Sequence, residues 1–296
     1  MHSIDEARAR LSRLDRPVGS ATRDLTIGTD TIRFEGLSEG VAVVLDARWG
    51  GFLRPARAGA ARMVVRTVRG DDETWLPRWQ PGDGYRIEAD AAGPLVVRSY
   101  HFALGPEASG AWRLAVHEQT DEPVGRIIDN AARYLVARLA IESGGLALHG
   151  AGVRRDERAW IFAGASGSGK TTATRLSLPA ESLGDDFAVV LPKDGGWATP
   201  ALPFDNTEAA PSSPVPGLTQ VSGVLRLFKS ERHRLERPTG VLAQASLLAC
   251  AAFPWALPDL VDRSGESVAA LAASGLYGHL HFAPNPGFWV LLTGEA

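Results

Sequence analysis

The distribution of hydrophobic and polar residues changes along the chain. Ile4 to Leu14 predicts a short charged helix, and from Asp24 to about Val116 short apolar runs alternate with turns rich in Gly, Asp and Pro, as is typical of β-strands. The predicted strands are Leu25–Ile27, Thr31–Phe34, Val41–Leu45, Met63–Val68, Tyr85–Ile87 and Leu95–Val97. We therefore expect a β-rich domain over residues 1–123. Its tryptophans are interpreted as core and edge packing rather than a ligand platform: Trp49, Trp75, Trp79 and Trp112.

The pattern becomes helical after this region. Apolar residues from Val124 to Ser143 recur with helical spacing, and Gly144-Gly145 ends the run. This helix is expected to open a second, mixed α/β domain over residues 124–296. The remaining predicted elements are strands at Leu146–His149 and Ala159–Ala163, a hairpin turn at Lys193–Gly196, a helix from Pro238 to about Phe253, and closing strands at Leu280–Phe282 and Phe288–Leu292.

A complete phosphate-binding motif follows the strand that ends at Ala163. It consists of Gly164, Ala165, Ser166, Gly167, Ser168, Gly169, Lys170 and Thr171, and Thr172 continues into a predicted helix. Three glycines let backbone N–H groups turn toward phosphate oxygens, Lys170 reaches the terminal phosphates, and the Thr171 hydroxyl ligates Mg²⁺. The positive end of the helix faces the anion. The motif therefore predicts a nucleoside triphosphate site for ATP and Mg²⁺, against the alternative of a glycine-rich turn that matches by chance.

A metal-bound triphosphate also needs a carboxylate nearby, in addition to the phosphate loop. Such a carboxylate is usually an Asp at the end of an apolar strand that follows the loop. Val41–Leu45 and Asp46 have this pattern, but they precede the loop, so we interpret Asp46 as a plain strand end. Downstream of the loop, Asp185 and Asp186 stand ahead of an apolar run instead. Two adjacent carboxylates can divide the work, one facing Mg²⁺ and one facing the nucleophile. The alternative is a turn that caps the following strand.

These elements together resemble the HPr kinase/phosphorylase family and its HPr-kinase-like relatives. The resemblance rests on Leu148-His149-Gly150, the phosphate loop and the pair Asp185-Asp186, and it covers roughly Gly144 to Leu202. It implies a mixed-sheet phosphate-loop kinase core, shared with phosphoenolpyruvate carboxykinase. It also implies catalytic roles for His149, Lys170, Asp185 and Asp186.

In that family pattern, one acid of the pair takes the proton from an acceptor hydroxyl, and His149 sits beside it. We favour Asp186 as this base, and Asp185 with Thr171 as metal ligands. The alternative for His149 is a buried histidine satisfied by the backbone. The resemblance implies phosphoryl transfer to a serine of a peptide or small protein, such as a ribosomal peptide precursor.

Three departures from the family pattern shape this expectation. The interval from Lys170 to Asp186 is shorter, with a short first helix, the family's downstream glycine-rich signature has no convincing match, and the N-terminal part resembles no family that we can assign. The last two absences argue against the phosphocarrier protein HPr as substrate. Two alternatives to a peptide kinase stay open, namely a kinase for a small hydroxyl compound such as free serine and a regulatory protein that binds ATP without transferring phosphate.

Further polar residues lie downstream of the acid pair. Asp205 and Glu208, in a long Pro- and Ser-rich connection, are candidate metal ligands, although solvated loop acids are the favoured interpretation. A basic segment is a candidate source of an arginine for the transferring phosphoryl group, although a solvated hairpin is the favoured interpretation. Its members are Arg226, Lys229, Arg232, Arg234 and Arg237.

Composition narrows the classes of partner and the location. The chain has 296 residues, 45% hydrophobic residues and a net charge of −3, which gives no field to attract nucleic acid or anionic lipid. Leu242 to Phe253, the longest nearly apolar stretch, is too short to span a membrane. We expect a cytoplasmic protein and leave open whether it forms a homo-oligomer. The single cysteine, Cys250, excludes an intrachain disulfide and predicts a packed thiol.

Overall fold

The computed structural model describes residues 3–55, 61–70, 75–76, 86–117, 122–204, 217–253 and 256–294. The chain forms two compact units, Met1–Leu135 with Trp255–Asp259, and Val136–Pro254 with Leu260–Ala296. Each unit contains a mixed β-sheet and helices, so the protein is of the mixed α/β class. The division falls within a helix, α3 (Val124–Glu142), which matches the helix predicted from the apolar stripe.

The first unit is built on an eight-stranded sheet. Its elements are α1 (Ile4–Arg13), β1 (Ala21–Ile27), β2 (Asp30–Leu37), α2 (Glu39–Trp49), β3 (Leu53–Arg54), β4 (Met63–Arg69), β5 (Glu88–Asp90), β6 (Val96–Arg98), β7 (Phe102–Pro106) and β8 (Trp112–Val116), with a 3-10 turn at Gly50–Phe52. The strand order is β3-β1-β2-β4-β8-β7-β6-β5. The pairs β2–β4 and β4–β8 are parallel and the others antiparallel.

The eight strands agree with the strand-rich pattern predicted for this region, with two differences. Arg86 and Ile87, from the predicted strand Tyr85–Ile87, precede β5 and are not in a strand. The predicted strand Val41–Leu45 is helical and lies inside α2, so the interpretation of Asp46 as a strand end is also wrong. Ser38 caps this helix because its hydroxyl accepts a hydrogen bond from the Val41 N–H at 3.3 Å. Trp49, Trp75 and Trp112 are buried as predicted, whereas Trp79 and Tyr85 lie outside the described residues.

The second unit is built on a nine-stranded sheet. Its elements are β9 (Leu146–Leu148), β10 (Gly150–Arg155), β11 (Arg158–Ala163), α4 (Lys170–Arg175), β12 (Glu181–Gly184), β13 (Ala188–Lys193), β14 (Gly196–Pro200), β15 (Leu218–Lys229), β16 (Arg234–Glu236), α5 (Gly240–Leu248), α6 (Val261–Ala273), β17 (Tyr277–Phe282) and α7 (Phe288–Thr293), with a 3-10 turn at Pro258–Leu260. The path is β12-β10-β11-β15-β14-β13-β9, and β17 also pairs with β15. β15 runs parallel to both β11 and β17.

Three predictions for this unit are corrected. Phe288–Leu292 is helix α7 rather than a strand, because Phe288 and Trp289 turn inward together and pack against the ring of Phe162, at centroid distances of 5.9 and 6.2 Å. The helix predicted to reach Phe253 ends at Leu248.

The basic segment is not a hairpin. β16 pairs with β17 and not with β15, since β17 returns between them after the helices α5 and α6. The predicted turn between β13 and β14 is confirmed: Lys193 faces Gly196, and Asp194 and Gly195 take left-handed φ values of 50° and 75°.

Candidate functional site

The glycine-rich motif has the structural context that it requires, a strand before it and a helix after it. Residues 164–169 connect β11 to α4, and Gly164, Gly167 and Gly169 have φ values of 149°, 76° and 104°. A Cβ atom at Gly164 would lie 2.8 Å from Ser168 Oγ, and one at Gly169 would lie 2.8 Å from the Phe282 ring. This loop conformation therefore requires glycine at both positions.

Two polar groups in the loop fit an anionic ligand. The Ser168 hydroxyl is buried and has no hydrogen-bond partner among the described residues. Lys170 is only 6% exposed. Its Nζ donates hydrogen bonds to the carbonyl oxygens of Gly164 at 3.0 Å and Ala165 at 3.2 Å, so backbone contacts hold the ammonium group inside the loop. A buried cation and a buried hydroxyl in one glycine loop are the donor set that a phosphate chain needs.

The acid pair lies between β12 and β13, and one of its members reaches the loop lysine. Asp186 Oδ1 is 3.4 Å from Lys170 Nζ, and the side chain of Asp186 is 32% exposed. Its backbone has a φ of 68°, in the left-handed region that Asp tolerates better than most residues. Asp185 is half-buried in the same turn. Asp186 thus has both a turn conformation and a contact with Lys170. The turn-cap interpretation and the catalytic interpretation of the acid pair therefore both stay hypotheses.

His149 lies between β9 and β10, directly beside the phosphate loop. Its carbonyl oxygen accepts a hydrogen bond from the Gly164 N–H at 3.0 Å, and its own N–H donates to the Cys250 carbonyl oxygen at 2.8 Å. The residue is exposed, so the alternative of a buried core histidine is wrong. The backbone of His149 thus joins the first residue of the loop to the segment that follows α5.

Arg226 is the residue of the basic segment that lies beside the loop. In the parallel pair β11–β15, Arg226 is the direct partner of Ala163, the last residue before Gly164. Carboxyl ends of parallel strands meet at one sheet edge, where ligands bind in such sheets. Arg226 Nη1 donates to Ser246 Oγ at 2.9 Å and to the Ser246 carbonyl oxygen at 3.3 Å. Ser246 was not predicted, because nothing in the local sequence of α5 distinguishes it.

Cys250 is buried and is a packed thiol, as predicted. Burial raises the pKa of this thiol to about 11, and the charges of Arg226 and Lys170 act in the opposite direction. The thiol therefore stays protonated near neutral pH.

Within the described ranges, no cluster of three or more His, Cys, Asp or Glu side chains is spaced to hold a metal ion. A magnesium ion bound with a triphosphate needs few protein ligands, since phosphate oxygens and water supply the others, and the Thr171 hydroxyl and Asp185 are of the right type. Asp205 and Glu208 lie outside the described residues. None of the described helices is both long and apolar enough to cross a membrane.

The second unit is thus a mixed α/β unit with a glycine loop, a buried lysine and a carboxylate at one sheet edge. Residues 115–208 of the chain match a family model described as SynChlorMet cassette protein ScmC. The match covers less than half of the chain and includes α3, the phosphate loop and the acid pair. The chain is similar to that family over this stretch. A comparison with curated proteins gives no match.

Proposed function

We propose that this protein is an ATP-dependent, Mg²⁺-requiring kinase that transfers phosphate to a hydroxyl group. The observation that carries the proposal is the meeting of the glycine loop, the buried Lys170 and Asp186 at one sheet edge, with Lys170 Nζ 3.4 Å from Asp186 Oδ1. A protein that only binds nucleotide needs the loop and the lysine. It does not need a carboxylate beside that lysine.

In the proposed reaction, each group has one task. The acceptor hydroxyl gives its proton to the Asp186 carboxylate, and its oxygen forms a bond to the γ-phosphorus of ATP. The bond from this phosphorus to the β–γ bridging oxygen breaks, and ADP leaves with that oxygen. Lys170 and the loop N–H groups hold the phosphate chain, and Arg226 faces the terminal phosphate from β15.

The remaining groups prepare the site for this transfer. Thr171 and Asp185 would hold the magnesium ion, which neutralises charge on the phosphate oxygens. His149 is proposed to orient the Asp186 carboxylate, as the resemblance to HPr-kinase-like proteins implies. Its backbone is hydrogen-bonded to the first residue of the loop, and the residue is exposed. The resemblance to HPr-kinase-like proteins supports a serine of a peptide or small protein as the acceptor.

A labelling experiment tests the proposal. The purified protein is incubated with Mg²⁺, ATP labelled in the γ-phosphate and a cell extract, and mass spectrometry then identifies what gains phosphate. We expect label on a serine of a peptide or small protein; label on a free hydroxyl compound would instead identify a small-molecule kinase. Lys170→Ala should abolish the transfer, whereas Lys193→Ala, which removes an exposed lysine, should not. Binding of ATP without transfer to any fraction would favour the regulatory protein.

A further inference from the structure

A polar cluster surrounds Ser246 next to the loop. Ser246 lies on α5 and is only 6% exposed. Its hydroxyl oxygen meets Arg226 Nη1 at 2.9 Å, the Tyr277 hydroxyl at 2.8 Å and His279 Nε2 at 2.7 Å. Arg226 comes from β15, and Tyr277 and His279 come from the parallel neighbour β17. Side chains from three elements therefore converge on one buried hydroxyl group.

The hydrogen bonds of this hydroxyl group determine the tautomer of His279. A serine hydroxyl has two acceptor positions and one proton. Arg226 Nη1 and the Tyr277 hydroxyl both donate to Ser246 Oγ, so both acceptor positions are filled. Ser246 must then donate its proton to His279 Nε2, which is possible only if this nitrogen carries no hydrogen. The proton of the neutral imidazole is therefore on Nδ1, the nitrogen that lies 3.8 Å from Glu236 Oε2.

We propose that Ser246, Tyr277 and His279 are positioning residues that hold Arg226 toward the terminal phosphate only while His279 is neutral. Protonation of His279 would place a donor, Nε2–H, against an oxygen whose acceptor positions are both filled. It would also bring a second positive charge beside the guanidinium group. Arg226 would then lose its contact with Ser246 Oγ, and recognition of the terminal phosphate weakens as the pH falls. This inference rests on the proposed nucleotide-binding function.

The charged surroundings of His279 favour the neutral form. Burial lowers the pKa of His279 most, and Arg226 on β15 and His281 on the same strand lower it further. Glu236 on β16 acts in the opposite direction, but its carboxylate is also 3.3 Å from His281 Nε2. On the α5 side the neighbour is the neutral Ser246, and Tyr277, whose pKa burial raises to about 12, stays an uncharged donor. The pKa of His279 is therefore lower than the ordinary histidine value, so the neutral form is favoured near neutral pH.

The test uses the binding of MgATP and MgADP, because their difference isolates the terminal phosphate. Dissociation constants are measured for the full chain in a pH series from about 8 down to about 5, because the pKa of His279 lies below the ordinary histidine value of about 6.5. We expect Arg226→Gln to weaken MgATP binding by roughly 10- to 100-fold and MgADP binding much less. Arg232→Gln, which removes an exposed arginine of the same segment, should change neither. Equal weakening of both nucleotides by Arg226→Gln would overturn the proposal.

Two variants separate positioning from a structural role. Ser246→Ala should reduce the preference for MgATP over MgADP in the same direction as Arg226→Gln. His279→Gln keeps an acceptor near the position of Nε2 but cannot gain a proton, so it should keep the preference at about pH 8 and remove its fall at the acidic end of the pH series. A purely structural role would lower the melting temperature and leave the preference and its pH dependence as in the unchanged protein, which would overturn the inference.

Nitrogen NMR of His279 at about pH 8 gives a readout that does not depend on nucleotide. We expect the hydrogen on Nδ1, and a hydrogen on Nε2 would overturn the hydrogen-bond assignment.

Lys170→Ala distinguishes failure of the proposed nucleotide-binding function from failure of the positioning network. If the unchanged protein binds neither nucleotide, the proposed function fails together with the inference. If it binds both and Lys170→Ala weakens both, while Ser246→Ala and His279→Gln change nothing, the positioning network alone fails.

Discussion

The buried carboxylates of the first unit and the acid pair of the second unit are held in different ways. Asp24 accepts two hydrogen bonds from Arg33, both at 2.8 Å. Asp129 is 1% exposed and accepts from the Trp49 indole at 2.9 Å and from Arg48 at 3.0 Å. These carboxylates lie on regular strands and helices. Their hydrogen bonds compensate for the loss of water, as a structural role requires.

Asp186 has a looser environment. It lies in a turn with a left-handed backbone, its side chain is 32% exposed, and its lysine contact is 3.4 Å long. A residue held in an uncommon backbone conformation at a partly exposed position is more typical of a functional site than of a core. The contrast separates fully buried, hydrogen-bonded carboxylates from a partly exposed carboxylate beside the loop lysine. Substitutions in the two units should accordingly affect different measurements.

The largest effect is expected at Lys170. Lys170→Ala should abolish phosphoryl transfer and weaken MgATP binding by roughly 10- to 100-fold, the scale of lost hydrogen bonds to a charged group. The melting temperature should stay close to that of the unchanged protein, because among the described residues the ammonium group contacts the loop carbonyls and Asp186 alone. Calorimetric titration with MgATP and thermal unfolding measure the two effects. Near-normal turnover of this variant would contradict the phosphate-loop interpretation.

The acid pair should show the next largest effect, with different outcomes for its two members. Asp186→Asn should lower turnover by roughly 10²- to 10⁴-fold, since it removes the proposed proton acceptor, while Mg²⁺-dependent nucleotide binding is kept. Asp185→Asn should instead raise the Mg²⁺ concentration needed for half-maximal binding. Turnover and Mg²⁺ titrations measure these changes. Equal and mild effects of both substitutions would favour the turn-cap interpretation.

The sequence predicts the local part of this site and misses the part that depends on tertiary contacts. The glycine loop, Lys170 and the acid pair are neighbours in a short stretch, so their spacing carries the information. Ser246 and His279 are far apart in sequence and meet only because β17 returns beside β15 after two helices. No local pattern marks either residue.

The wrong secondary-structure predictions have a physical cause as well. Val41–Leu45 is a short apolar run, which periodicity alone cannot assign to helix or strand. Ser38 could have indicated the helix, because a serine before such a run is a preferred helix N-cap. Phe288–Leu292 was equally ambiguous. Its helical form is stabilised by burial of Phe288 and Trp289 in the core, which no local signal predicts.

In the first unit, we expect a substitution to reduce stability instead of binding. Asp129→Ala should lower the free energy of unfolding by about 3–5 kcal/mol, because it leaves the buried Trp49 N–H and Arg48 without their acceptor. Asp30→Ala is the matched control. Its carboxylate pairs with the partly exposed Arg62 at 2.7 Å, and such pairs contribute about 0–1 kcal/mol. Urea unfolding of the full chain measures both, and equal losses would contradict the contrast between fully buried and partly exposed carboxylates.

The smallest of the expected effects is at His149. It tests whether a residue of the second unit can change turnover without changing stability or MgATP affinity. Because the contacts of His149 with Gly164 and Cys250 are made by its backbone, His149→Ala should preserve them, and the exposed side chain should contribute little to stability. Turnover should fall by roughly 10²-fold with unchanged MgATP affinity, as expected for a group that positions a proton acceptor. The assay uses the acceptor that the labelling experiment identifies.

A second variant sharpens the test. His149→Gln keeps a hydrogen-bonding side chain but cannot carry a proton, so partial recovery of turnover relative to His149→Ala would assign an orienting role. Equal loss in both variants would instead indicate that the imidazole itself exchanges a proton. A melting temperature well below that of the unchanged protein, with normal activity of the folded fraction, would show that His149 belongs with Asp129 among the structural residues. It would also remove one of the elements on which the resemblance to HPr-kinase-like proteins rests.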